Sequence, residues 1–193
     1  EESKIRTPLL GLCETLAAEE KVFVHRDFHS RNLMIRKNDL LLLDFQDARM
    51  GPCQYDLVSL LKDSYVILKE ETRNELLNYY LQRMEQEEGQ AIDHAPFLKI
   101  FDSMSIQRNL KAIGTFAFQY MELKKQRYLE FIDPTLQHIR DTFDSQPNLK
   151  SLAQVLRKAI PGKGGDIKIQ KFSEKEISKF LSGKTFTDEN FPV

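Results

Sequence analysis

The chain has 193 residues, 41% of them apolar, which suits one domain with a real core and no more than an appendage. A net charge of −1, with both signs mixed, excludes the field that would draw the chain to nucleic acid or an anionic membrane. Cys13 and Cys53 stand in no ligand-like spacing, which argues against a zinc site or disulfide framework and for a reducing, cytoplasmic setting.

Thr7-Pro8 reads as an N-cap followed by proline at the first helical position, and Leu9, Leu12, Cys13 and Leu16 continue at helical spacing to about Ala18. The N-terminal EESKIRTPLL has no apolar region of a signal peptide, and the chain begins without Met, so it reads as a piece of a longer protein. Three short β-rich runs follow: Val22 to Val24, Leu33 to Ile35, and Leu40 to Leu43. The last two form a hairpin across Arg36-Lys37-Asn38-Asp39. Leu40 to Leu43 is also the longest apolar run, far too short to span a bilayer. Gly51-Pro52 is expected to break the chain, and Leu57, Leu60, Leu61, Tyr65 and Leu68 to mark an amphipathic helix.

From there the pattern is helical. Leu77, Tyr80, Leu81 and Met84 form a stripe closed by Gly89. Pro96 opens a long helix with Phe97, Ile100, Phe101, Met104, Ile113 and Phe116 inward. Asp133-Pro134 opens another, faced by Leu136, Ile139 and Phe143. Leu152, Val155, Leu156 and Ala159 make a last helix, stopped by Pro161-Gly162, and a Gly- and Lys-rich linker or tail follows. The expected class is α+β, mainly α, with residues 1–160 as one lobe and 161–193 as a tail.

The chemistry concentrates in VFVHRDFHSRNLMIRKNDLLLLDFQDARMGPCQYDLVSLL. It holds His25-x-Asp27, then Asn32, then Asp44 after the hairpin. Phosphoryl transfer needs one carboxylate to orient an acceptor hydroxyl and take its proton, and oxygen ligands to hold Mg²⁺ against phosphates. Asp27 suits the first task, and Asn32 and Asp44 the second. Each residue also has a plainer reading. Asp27 is then a turn former, Asn32 a turn cap, Asp44 the close of the hairpin and Asp56 a first-turn helix acid. His29 and Arg31 face phosphate or acceptor, or only solvent. Asp47 faces acceptor, metal or solvent.

HRDFHSRNLM followed by LLLDFQDA resembles the catalytic and metal loops of the aminoglycoside phosphotransferase and choline kinase superfamily, whose members share the protein-kinase-like fold. The wording is most similar to bacterial kinases of the anomeric hydroxyl of N-acetylmuramate and N-acetylglucosamine, firmly over Val22 to Leu61 and weakly to about Tyr120. The resemblance implies Asp27 as base, His25 as loop organiser, Asn32 and Asp44 as Mg²⁺ ligands, and Asp56 as a brace on the loop's backbone. It implies ATP and a small-molecule hydroxyl as substrates. It also implies the C-terminal lobe of a kinase-like fold, a hairpin carrying the catalytic and metal loops on a helical bundle. The nucleotide lid of such an enzyme, a Gly-rich loop and a strand lysine, is not found before Val22. Gly162-Lys163-Gly164-Gly165 lacks the phosphate-loop pattern. An N-terminal lobe is therefore expected elsewhere, and the isolated chain is expected to be incomplete as an enzyme.

Two alternatives stay open: an aminoglycoside- or choline-type kinase lobe, and a non-catalytic binding module. Arg108 and Lys111, on one helix face, read as a solvated pair or as acceptor contacts. With Lys124, Lys125 and Arg127 they are expected to make one basic helix, which leans away from cationic acceptors and toward a neutral or anionic sugar. On the same helix, Gln107 is expected to be polar-facing, with Phe116, Phe118 and Tyr120 near the acceptor's apolar face.

Overall fold

The computed structural model describes residues 2–91, 93–145 and 152–154. Helix α1 (Glu2–Ala17) buries Leu12 and Leu16. It starts before Thr7, so Thr7 is not its N-cap and Pro8 lies inside it. A proline there removes one backbone bond and crowds the preceding turn. The apolar stripe beyond it, docked on the core, holds the helix together.

Strand β1 (Lys21–Val24) leads to the loop of residues 25–32, which ends in a 3₁₀ turn, Ser30–Asn32. Strands β2 (Leu33–Arg36) and β3 (Asp39–Leu42) form the expected hairpin, with Leu33 opposite Leu42 and Ile35 opposite Leu40. Gly51-Pro52 does not break the chain. It ends a fourth strand, β4 (Arg49–Pro52), antiparallel to β1 with Val22 opposite Gly51. Proline is admitted here because both strands of a two-stranded ladder are edges. Glycine is needed before it because a Cβ at Gly51 would lie 2.9 Å from Val24 Cγ2.

Helix α2 (Gln54–Leu61) is shorter than its apolar pattern predicts. The Asp63 carboxylate accepts the Tyr65 N–H at 2.8 Å, a turn that competes with the helix and sends Tyr65 and Leu68 out of it. Helix α3 (Glu70–Glu88) ends at Gly89, whose φ of 70° is the left-handed cap that favours glycine. Helix α4 (His94–Met121) starts on Asp93, whose side chain accepts the Ala95 N–H at 3.0 Å. It ends at Met121, so Lys124, Lys125 and Arg127 lie beyond it in a turn and a second 3₁₀ segment (Gln126–Phe131), and the single basic helix is not formed. Helix α5 (Ile132–Ser145) buries Leu136, Ile139 and Phe143 as expected.

The fold is mainly helical α+β, with two small antiparallel strand pairs. α4 is the central helix, packed on α1, α2 and α5. Val58, Leu61, Ile106 and Ile139 are at most 1% exposed at its heart. Residues 152–154 add buried Leu152 and Ala153, while the rest of the expected last helix and residues 161–193 lie outside the described residues. No helix among the described residues is long and apolar enough to cross a membrane.

Candidate active site

The loop of residues 25–32 hangs between two carboxylates supplied by the helical side. At its start, Asp56 on the first turn of α2 accepts the His25 N–H at 2.6 Å and the Arg26 N–H at 2.9 Å. The helix N-terminus favours that negative charge. Arg26 has a φ of 72°, an uncommon conformation for a side-chain-bearing residue, and these two bonds hold it there. At the loop's far end, buried Asp63 accepts the Ser30 N–H at 2.8 Å with one oxygen and the Tyr65 N–H with the other. Each charge-assisted bond is stronger than a neutral one.

Between the clamps the loop closes on itself. The Asp27 carbonyl accepts the His29 N–H at 3.0 Å and the Asn32 Nδ2–H at 2.9 Å. Asn32 Oδ1 takes no hydrogen bond among the described residues. The half-buried Asp27 carboxylate takes no hydrogen bond or ion pair among the described residues, so it is available to an incoming hydroxyl. His25 is buried, and its Nε2 lies 2.9 Å from the Leu43 carbonyl. A carbonyl only accepts, so Nε2 carries the proton in that contact. The imidazole thereby ties the loop to the end of the hairpin.

The Leu43 N–H donates to the Asn32 carbonyl at 2.9 Å, extending the β2–β3 ladder one step. That step brings Asp44 alongside the end of the loop. Asp44 is exposed, with a φ of 69°, and its Oδ1 accepts Gln46 Nε2–H at 2.7 Å. Asp47 is exposed, and its carbonyl accepts from Arg26 at 3.5 Å. The oxygen set of Asn32 and Asp44 fits Mg²⁺, a hard ion that commonly takes one or two protein oxygens and completes its shell with phosphate and water. Among the described residues no three His, Cys, Asp or Glu side chains converge to hold a metal by themselves.

His29 and Arg31 turn toward the helical side. The His29 ring meets Tyr65 edge-on at 5.1 Å. Burial lowers its pKa, opposed by the charge of Asp63 and reinforced by that of Arg108. The Arg31 guanidinium lies 3.8 Å from the centre of the Tyr65 ring and 4.8 Å from that of Phe131.

Arg108 and Lys111 do not share a solvated face: Arg108 is buried, while Lys111 is exposed one turn on. Arg108 donates to Ser64 Oγ at 3.4 Å and Asn109 Oδ1 at 3.2 Å, behind the loop. The reason is that α4 is the central helix, so its polar side chains at this level meet α2 and α5 rather than water. Phe116 is likewise buried, within an aromatic cluster with Tyr65, Tyr128 and Phe131, while Phe118 is exposed. The buried Lys62 Nζ donates to Thr142 Oγ1 at 2.7 Å and lies 3.9 Å from Asp102. Burial pushes the Lys62 pKa down to about 8, against the pull of Asp102.

Sequence reasoning missed Asp63 and Tyr65. The one available signal was Lys62-Asp63-Ser64, polar residues with turn chemistry that interrupt an apolar helical stripe.

Residues 4–91 of the chain match the phosphotransferase enzyme family. Beyond that class, the chain is homologous to proteins named N-acetylmuramate/N-acetylglucosamine kinase. It is 40% identical to the one from Neisseria meningitidis serogroup B over 131 residues, covering 67% of this chain and 39% of that protein. It is 34% identical to the one from Pseudomonas aeruginosa over 149 residues, 75% of this chain and 43% of that protein. It is 33% identical to the one from Pseudomonas putida over 153 residues, 78% and 45%. The chain thus spans less than half the length of these curated relatives.

Proposed function

We propose that this chain is the catalytic, acceptor-binding lobe of an ATP-dependent kinase that phosphorylates a small-molecule hydroxyl, the anomeric hydroxyl of an N-acetylated amino sugar. The observation that carries the reading is the uncommitted Asp27 carboxylate on a loop clamped by Asp56 and Asp63, whose Asn32 bonds to the Asp27 carbonyl and to the Leu43 N–H next to Asp44. The kinship with amino-sugar kinases supports the acceptor class. Exposed apolar side chains on the strand side, Ile35, Leu40 and Phe45, support a further lobe covering the nucleotide there.

In this reading Asp27 accepts a hydrogen bond from the acceptor hydroxyl and aims its oxygen at the γ-phosphorus of ATP. The new oxygen–phosphorus bond forms as the bond to the ADP oxygen breaks, and the hydroxyl proton passes to Asp27 and then to solvent. Mg²⁺, held by Asn32 Oδ1 and the Asp44 carboxylate, would neutralise phosphate charge. His25 and Asp56 do not touch the reacting atoms; they fix the loop that carries Asp27.

The test is phosphate transfer by the intact protein that carries this chain, across N-acetylmuramate, N-acetylglucosamine, kanamycin and choline. Turnover on either amino sugar is the expected result. Turnover on kanamycin or choline with none on the sugars would move the acceptor class and leave the phosphotransfer reading standing.

A further inference from the structure

Arg31 is four residues past Asp27, and its cation is fixed rather than free. Its guanidinium lies over two rings, 3.8 Å from the centre of Tyr65 and 4.8 Å from that of Phe131. Those rings are themselves held. Tyr65 and Phe131 meet edge-to-face at 4.9 Å, and buried Phe116 backs both, at 5.9 and 5.7 Å. The backbone under Tyr65 is pinned by Asp63, the same carboxylate that holds Ser30 next to Arg31. Among the described residues Arg31 makes no hydrogen bond or ion pair, so its N–H donors are uncommitted and its charge is unmatched.

A guanidinium held over aromatic rings by its charge commits none of its N–H groups, and two of them match a planar carboxylate with parallel hydrogen bonds. The stack also holds the side chain in place before any ligand arrives, so less freedom is lost on binding. Its direction decides which anion it serves. The oxygens suited to the metal and the phosphates, Asn32 Oδ1 and Asp44, belong to the loop's junction with the hairpin. Arg31 is turned the other way, onto rings from the segment after α2 and the 3₁₀ turn before α5. Arg108, also on the helical side, is buried and engaged with Ser64 and Asn109.

We infer that Arg31, propped on Tyr65 and Phe131, is the specificity residue of the acceptor site and recognises a carboxylate carried by the sugar. The inference rests on the proposed function and deepens it: the enzyme prefers an acidic amino sugar to its uncharged counterpart.

The experiment compares kcat/KM of the intact protein for N-acetylmuramate, for its carboxamide and for N-acetylglucosamine, in the wild type and in Arg31→Gln and Arg31→Lys. Wild type is expected to favour the carboxylate over the carboxamide by about 10- to 100-fold, the range of a charge-assisted hydrogen bond. Arg31→Gln should collapse that ratio toward unity, through KM for the acid rather than through KM for ATP. Arg31→Lys should keep part of it. A wild-type enzyme indifferent to the carboxylate overturns the inference even if no variant folds. A ratio unchanged in Arg31→Gln overturns it too, as does a loss equal for all acceptors with KM for ATP raised, which would place Arg31 on the phosphates. No turnover on any sugar overturns the proposed function, and this inference with it.

Discussion

Ile106 on α4 and Ile139 on α5 are fully buried, whereas Ile35 on β2 is 77% exposed and Leu40, its cross-strand partner, 66%. The helical half holds the core, which α4 shares with α1, α2 and α5. The strand half is a pair of two-stranded ladders that bury Val24 at the end of β1 but leave Phe23, Met34, Ile35, Leu40 and Leu42 exposed. Each half shapes the site in its own way. The helical half supplies the side-chain carboxylates, Asp56 and Asp63, that hold the loop bearing Asp27. The hairpin contributes through backbone hydrogen bonds, with the Leu43 N–H and carbonyl meeting Asn32 and His25. Asp27 is therefore set by a rigid body, and Asp44 by a thin ribbon.

The sharpest way to break this contrast is a matched pair of truncations. Ile106→Ala should cost about 2–5 kcal/mol in a denaturant titration, the transfer and cavity cost of a fully buried isoleucine. In this chain alone, without the further lobe proposed above, Ile35→Ala should stay within about 0.5 kcal/mol, as exposed positions do. Equal costs would mean that the hairpin is packed under something in solution, and the two halves would not differ as described.

A smaller effect separates the clamps from the core. Asp63→Ala leaves the Ser30 and Tyr65 N–H groups without their acceptor. A loss of about 1–3 kcal/mol is expected, with turnover reduced and nucleotide affinity less affected. Full turnover in a stable Asp63→Ala protein would show that the far end of the loop needs no brace.

At neutral pH the smallest effect is that of His138, which emerges as a pH dependence. His138 on α5 is buried against the Asp63 carbonyl, with Nε2 at 3.3 Å. Burial lowers its pKa from 6.5 to about 4, so the unfolded chain binds this proton more readily than the folded one. Stability is then unaffected by this group above about pH 6.5 and falls as pH drops from there toward 4. His138→Gln should flatten that stretch of the stability curve. An unchanged acid limb in the variant would assign the loss to other groups.

How much of this was legible in the sequence varied with how local each feature is. The hairpin and the Gly89 cap follow from turn and cap chemistry within a few residues, and the structure has them, while α4 starts on Asp93, slightly before the Pro96 expected to open it. The family was legible because residues 25–44 carry a spaced set of polar residues on an apolar frame. What depended on distant partners was not legible. Strand β4 exists because β1 pairs with it, and Gly51-Pro52 alone reads as a break. Arg108 reads as a surface cation until α4 is seen to be the central helix. Tyr65 sits at helical spacing from Leu61, yet a turn formed by Asp63 moves it into an aromatic cluster under Arg31.

The central claim is that Asp27, held by the clamps yet free at its carboxylate, takes the proton of the acceptor. The direct measurement is single-turnover phosphate transfer from Mg-ATP to the preferred amino sugar by the intact protein and its Asp27→Asn variant. Melting temperatures are compared alongside. The account predicts a rate lower by about 10²- to 10⁴-fold, the usual contribution of a general base, with an unchanged melting temperature. An Asp27→Asn protein that transfers phosphate at the wild-type rate would contradict it.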